Sequence, residues 1–403
     1  MPTVLIASDK FKGSLTAAQV ADAVAEGVRR ARPDARVESV PVADGGDGTI
    51  AAALAAGFEH VPVVASGPTG EPVHTGYARR ADLAVVEMAD VAGLTRLPGG
   101  VLAPLHASSR GVGEVMAAAV AAGCRTVILG IGGSASTDGG AGFLAGLGAL
   151  LLDADGAPVG DGGAALTRIA SVELAALRER MFGVRVILAS DVDNPLTGPK
   201  GAAAVYGPQK GASSEQVGEL DDALTHFADI VAAATGADFR RHAGAGAAGG
   251  TGFAALAVLD AELRPGVDLV LELVGFSDRL AEADLVVTGE GALDEQTLHG
   301  KAPAGVAAAA VAAAIPVVAV CGRNLLSAES LRSAGIIAAY ALTDLEPDVQ
   351  KCIADPRPLL ARLGELIATD LLSDEGRPIE GSDEGKPIEG SDEGRPNQDG
   401  VRR

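Results

Sequence analysis

A two-domain α/β protein is predicted by three features of the chain. Short apolar strand-like runs alternate with Ala- and Leu-rich stretches of helical period at both ends of the sequence. At 403 residues the chain exceeds the size, roughly 250–300 residues, at which a single core stops growing. Aliphatic residues abound while aromatics make up 3% and Trp is absent, so the core must consist of closely packed Ala, Val and Leu layers.

Residues 3–8 read as a strand, 15–31 as an amphipathic helix opened by the cap signals Ser14 and Thr16, and 36–42 as a second strand. This is a βαβ opening. In the middle of the chain lie a helix at 111–122, strands at 126–131 and 184–190, and a helical stretch at 214–235. Strand–helix alternation then returns: a strand at 284–288, a helix at 303–314, a strand at 316–321, a helix near Ala328 and a strand at 336–342. The two ends are expected to share one parallel sheet. Residues 1–66 and 284–372 would form a discontinuous Rossmann-like or flavodoxin-like domain, and 67–283 a larger inserted mixed α/β domain, with the active site in the cleft between them. From Ser373 a nine-residue near-repeat, SDEGRPIEG, carries charge, Gly and Pro with almost nothing to bury, so 373–403 reads as a disordered tail.

The formal charge of −21 argues against a nucleic-acid or anionic-membrane partner and favours small-molecule substrates. Cys124, Cys321 and Cys352 are too few and too dispersed for a disulfide framework or a CxxC zinc site, no secretory signal is visible, and a cytoplasmic enzyme is expected, as a monomer or homodimer. The uncharged run 302–322 reaches membrane-spanning length, but Pro316 divides it into a buried helix and a strand.

Five segments at predicted strand ends share one chemical style, an acid with glycines and a hydroxyl or lysine. They are SDKFKGS from Ser8, ADGGDGT from Ala43, GIGGSASTDGGAG from Gly130, SDVDNP from Ser190, and TGEGALD from Thr288 with His299-Gly300-Lys301 following. Glycines let backbone approach a ligand, N–H groups at a helix opening point at anions, and carboxylates and lysines suit magnesium and a transferring phosphoryl group. Only seven lysines occur against twenty-five arginines, and Lys10, Lys12, Lys200, Lys210 and Lys301 all lie in Gly/Ser/Asp-rich segments. No GxxxxGK[ST] phosphate loop is present. The rival pattern is Gly130-x-Gly132-x-x-Ala135 with Asp153 beyond it, the arrangement of a dinucleotide-binding turn, which would make the protein an NAD(P)-dependent dehydrogenase of a small hydroxy acid.

Taken together, SDKFKGSL, PVADGGDGT, SSRGVGE, GIGGSASTDGGAG, DVDNPLTGPKGAA, YGPQKGAS, GAGAAGGTG and TGEGALDEQTLHGK resemble, in order, the type I glycerate kinases of bacterial glyoxylate and sugar-acid catabolism. The resemblance runs from about residue 2 to about 370. It implies ATP with Mg²⁺ as phosphoryl donor, D-glycerate as acceptor and 2-phosphoglycerate as product, with 3-phosphoglycerate or a related sugar acid as alternatives. Asp191 is the expected base, at the end of a buried strand, with Asp9 and Asp294 as rivals. Lys10 and Lys301 are the expected catalytic cations. Gly132, Gly133, Ser134, Lys210, Gly289 and Gly291 would hold the nucleotide. Asp9, Lys12, Ser109, Arg110 and Asn194 would bind glycerate, Arg110 bidentately. Asp138, Asp44, Asp47 and Glu290 are the expected metal ligands.

Overall fold

The computed structural model describes residues 1–298 and 300–372; His299 and the 373–403 tail, with the expectations attached to them, lie outside the described residues. The chain opens with β1 (Thr3–Ser8) and β2 (Arg36–Ser39), joined by the helix Ala17–Ala31. It then builds β3 (Glu59–Ser66), β4 (Pro72–Arg80), β5 (Leu83–Glu87) and β6 (Thr126–Gly130), a small hairpin of β7 (Leu150–Leu152) and β8 (Ser171–Glu173), and β9 (Arg185–Ala189) and β10 (Glu262–Arg264). It returns with β11 (Leu285–Leu293), β12 (Val317–Asn324) and β13 (Ile336–Ala341).

These strands form two main sheets. The first has five strands, all parallel, in the order β13-β12-β11-β1-β2, so the two ends of the chain do share one sheet. The second has six, in the order β10-β9-β6-β5-β4-β3, parallel from β10 to β5 and antiparallel at β4 and β3. The protein is therefore an α/β fold with one parallel and one mixed sheet.

The first helix begins where its sequence demands. Thr16 accepts a hydrogen bond from the Gln19 N–H at 3.2 Å while the Gln19 side chain accepts from the Thr16 N–H at 2.9 Å, a reciprocal cap. Val20, Val24 and Val28, spaced by four, bury one face in the core of the first sheet. The same helix lies against Pro356–Leu371, which the sequence reading did not place. A Cβ at Gly27 would stand 1.7 Å from the Ala361 carbonyl oxygen, so these helices touch backbone to backbone.

Several boundaries differ from expectation. The strand from Arg36 is regular to Ser39, Val40 and Val42 still donate to the Ile6 and Ser8 carbonyls of β1, and the chain then turns into the cleft at Asp44. The strand expected at 284–288 continues to Leu293, because Gly289 and Ala292 pair with Val320 and Arg323 of β12. Residues up to 66 were expected in the first unit, yet β3 pairs along its length with β4 in the second sheet. Its signal was weak because only Ala65 of its eight residues is buried. Conversely, Val267, Val270 and Phe276 join the core of the first sheet, ahead of the expected return at 284.

The two units meet over an apolar seam. Ile50 and Ala53 of the helix Thr49–Ala55 pack with Val85, Ile128 and Ile187 of the second sheet and with Leu269 and Leu273. Among the described residues, no helix is long and apolar enough to cross a membrane.

Candidate active site

Carboxyl ends of parallel strands, at the point where connections diverge to either side of a sheet, are where α/β folds bind ligands. In the first sheet the chain leaves β1 for β2 on one side and later re-enters as β11 on the other, which sets that point between β1 and β11. A cavity of about 670 Å³ opens there, within the usual range for small-ligand sites. Its walls come from the loops after β1, β2 and β6, the carboxyl ends of β11 and β12, the segment after β11, and the segments after β13. The floor is backbone against backbone: a Cβ at Gly132 would lie 2.6 Å from Gly46 Cα, and one at Gly130 2.6 Å from the Gly45 carbonyl oxygen. Gly45 also has φ of +85°, a conformation that side chains disfavour. Glycine is thus required here by closeness of the two loops.

Charged side chains of both signs line this cavity. Asp9, at the end of β1, is 8% exposed, and burial raises its carboxyl to about pH 7, with Asp44 and Glu290 pushing the same way and Lys10 opposing. The Lys10 ammonium donates to the Asp47 carbonyl oxygen and stands 3.7 Å from the Asp9 carboxylate and 3.6 Å from that of Asp47. Asp44 accepts from the Gly46 N–H at 3.2 Å, which shapes the turn. Across the cavity Glu290 accepts from Thr297 Oγ1 at 2.5 Å and lies 3.4 Å from Lys301 Nζ, which is 3.8 Å from Asp294. Burial raises the Glu290 carboxyl. Lys12, Gly132, Gly133 and Gly291 complete the set of expected residues in this wall.

Other expected site residues are engaged elsewhere. Asp138 is fully buried and its two oxygens accept from the Ser109 N–H and hydroxyl at 2.8 Å, from Gly140 at 3.1 Å and from Gly142 at 3.3 Å. It braces the glycine loop internally and is not presented as a metal ligand. Ser109 is consumed by that network and by the Phe143 N–H at 2.9 Å. Arg110 forks onto Asp161 at 2.7 and 2.8 Å and lies outside the lining of this cavity. Asn194 bridges the Lys200 carbonyl at 2.8 Å and the Tyr206 hydroxyl at 2.6 Å. Lys210 is 2% exposed, bonds Ser134 Oγ at 2.9 Å and the Ser136 carbonyl, and is lowered to about pH 7 by burial, with Asp138 opposing. It and Ser134 hold the loop from behind. Gly289 sits inside β11, where a Cβ would meet the Val320 carbonyl oxygen at 2.1 Å, so its smallness serves strand packing.

Asp191 lines a neighbouring cavity of about 600 Å³ with Asp193, Arg264 and Asp268. It accepts from the Gly266 N–H at 3.1 Å, and burial raises it to about pH 6. The first cavity's lining does not include it. Asp153, the acid expected of a dinucleotide site, caps a turn through the Asp155 and Ala157 N–H groups.

One contributor was missed. Glu87, at the end of β5 and 4% exposed, accepts from the Gly48 N–H at 3.2 Å and the Ile50 N–H at 2.9 Å, fastening the cavity loop of the first unit to the second sheet. Burial raises it to about pH 7 against those two hydrogen bonds. It follows an apolar run without a glycine or hydroxyl beside it, so no local signal marked it. Glu87→Ala should lower the unfolding free energy by about 1–3 kcal/mol by orphaning buried donors, read from urea melts, while Glu87→Gln stays nearer the parent.

A model of the glycerate kinase family matches residues 4–372. The chain belongs to the glycerate kinase family. A glycerate kinase from Bacillus subtilis (strain 168) is 44% identical over 84% of this chain and 90% of its own length. Glycerate 2-kinase of Escherichia coli (strain K12) is 41% identical, again over 84% and 90%. A crystal structure from Salmonella typhimurium LT2, of a protein assigned as glycerate kinase 2, superposes with a TM-score of 0.78 at 39% identity and covers 91% of this chain and 97% of that one. As a family member the protein is a phosphotransferase, and the dehydrogenase alternative falls.

The Asp138 network gives a check on the brace role. Asp138→Ala should lower stability by about 3 kcal/mol or more, because several buried N–H and O–H donors lose their acceptor together. A metal ligand would behave otherwise, leaving the melting curve unchanged while magnesium affinity falls.

Proposed function

We propose that the enzyme transfers the γ-phosphoryl group of ATP to the 2-hydroxyl of D-glycerate, giving ADP and 2-phosphoglycerate. The observation that carries this reading is the convergence of Asp9, Asp44 and Glu290 with Lys10 and Lys301 in one cavity at the β1/β11 divergence. Phosphoryl transfer is mostly positioning and charge stabilisation, and these are the groups it uses.

Asp9 is the base this geometry supports, in preference to Asp191, because it lines the cavity and its raised pKa sits near neutral pH. Its carboxylate takes the proton of the acceptor hydroxyl as that oxygen bonds to the γ-phosphorus and the bond from phosphorus to the β,γ-bridging oxygen breaks. Lys10 balances charge on the transferred group, Lys301 and the Gly132–Gly133 backbone hold phosphate oxygens, and Lys12 offers a cation for the glycerate carboxylate.

Magnesium typically binds through one or two carboxylates plus nucleotide phosphates. The wall fits that habit: burial is the main cause of the raised Asp9 carboxyl, but Asp44 and Glu290 stand close enough to add to it, a surplus of negative charge that a dication would relieve, and these two would hold it. Among the described residues, no three His, Cys, Asp or Glu side chains form a ready-made cage, so the nucleotide must supply further ligands. When bound, magnesium neutralises charge on the β- and γ-phosphates.

The test is ADP release with ATP, D-glycerate and Mg²⁺, run beside EDTA-treated enzyme. Release dependent on both glycerate and Mg²⁺ supports the proposal. Release without glycerate, or none at all, refutes it.

A further inference from the structure

The composition of the cavity changes across the first sheet. Over β2, β1 and β11 it is charged, with Asp44, Asp9 and Glu290. On one side it becomes apolar: Leu342 follows β13, and Val349, Cys352 and Ile353 come from the helix Val349–Ala354, which packs on β12. Phe11 closes the same side from the loop after β1. Val349 and Ile353, four apart on one helical face with Cys352 between, are 40% and 48% exposed and line the cavity with no covering element among the described residues. Leu342, Cys352 and Phe11 behind them are almost fully buried.

This wall is tied to the charged end. Ser14 Oγ donates to the Ile353 carbonyl oxygen at 2.9 Å, joining the helix to the loop that carries Lys10 and Lys12. Asp348 caps the helix through the Gln350 N–H at 2.9 Å.

We infer that the base of the nucleotide donor lies against Val349, Cys352 and Ile353, with its triphosphate running back over Lys301 toward Asp9. The inference rests on the ATP-dependent reading above and adds the location and orientation of the donor. An apolar slot continuous with a charged floor suits a ligand that is planar and apolar at one end and polyanionic at the other. Glycerate, with three carbons and three polar groups, has nothing to place on Val349 and Ile353.

Photolabelling with 8-azido-ATP and Mg²⁺, followed by peptide mapping, tests this directly. Label should fall within residues 342–353 or on Phe11 and be suppressed by ATP. Label confined to the six-stranded sheet, or to the 373–403 tail, overturns the inference. As a second arm, Ile353→Asp alters a half-exposed residue and should leave the fold intact. The KM for ATP should rise about tenfold or more, while the KM for glycerate and the inhibition constant of inorganic tripolyphosphate, which lacks a base, stay within about twofold. Equal weakening of ATP and tripolyphosphate, or of neither, contradicts the assignment. Wild-type enzyme that photolabels as stated but releases no ADP with glycerate would preserve this site while removing the proposed reaction.

Discussion

Replacement of Asp9 by Asn is expected to lower kcat by about 10²–10⁴-fold, the range associated with a positioned acid–base group, with a much smaller change in either KM. Asn keeps the shape and the turn but cannot take a proton. The pH profile supplies an independent reading. Burial raises Asp9 to about pH 7, so the carboxylate form that accepts a proton accumulates only as pH rises through that value. In the parent enzyme kcat/KM, which reports the groups of the enzyme before glycerate binds, should therefore climb with pH along an acid limb, displaced below pH 7 to the extent that magnesium at Asp44 and Glu290 relieves their repulsion, and level off above it. In the Asn variant that limb should disappear. If instead Asp191→Asn removes the limb, whose group sits near pH 6, and Asp9→Asn leaves it, the base has been misassigned.

The Lys10→Met variant should lose about 10²–10³-fold in kcat/KM, comparable to removing one charge-stabilising donor from a transition state. Lys10 also lowers the Asp9 pKa through its 3.7 Å approach, so the substitution has a second, signed consequence. Without that ammonium, Asp9 holds its proton to higher pH. The acid limb of the residual activity should therefore move to more alkaline values. Lys10→Arg should not restore the parent rate, because the guanidinium is planar and larger while the site fits a point charge bonded to the Asp47 carbonyl. An unshifted acid limb in Lys10→Met would separate Lys10 from the base.

How much of this was legible in the sequence depends on what each residue does. The βαβ opening was readable because Thr16 and Gln19 cap a helix whose valines repeat every fourth position. The sharing of one sheet by both chain ends was likewise readable from strand–helix alternation. The strands β3 and β4 were not, since their exposed positions and the histidines and arginines among them mask the alternation. In the site, Asp9, Lys10, Asp44, Glu290 and Lys301 were found because glycine-rich strand ends bring ligand-binding groups together locally.

Asp138, Ser109 and Arg110 carry the same local signal but satisfy partners far along the chain. Asp138 meets Ser109 across 29 positions and Arg110 meets Asp161 across 51. No spacing rule distinguishes an acid that faces a ligand from one that holds a loop from within. Glu87 shows the converse, a cavity-shaping residue whose targets, Gly48 and Ile50, lie 39 and 37 positions earlier. The apolar wall at Val349 and Ile353 was invisible for a similar reason, since only the sheet order brings residue 353 beside the loop of residue 14.

The most direct measurement is phosphorus NMR of the product formed from ATP, Mg²⁺ and D-glycerate by the wild-type protein. The account predicts a monophosphate on the secondary hydroxyl, 2-phosphoglycerate, appearing in step with ADP. A resonance from 3-phosphoglycerate would contradict the proposed acceptor orientation, and inorganic phosphate alone would contradict transfer to glycerate altogether.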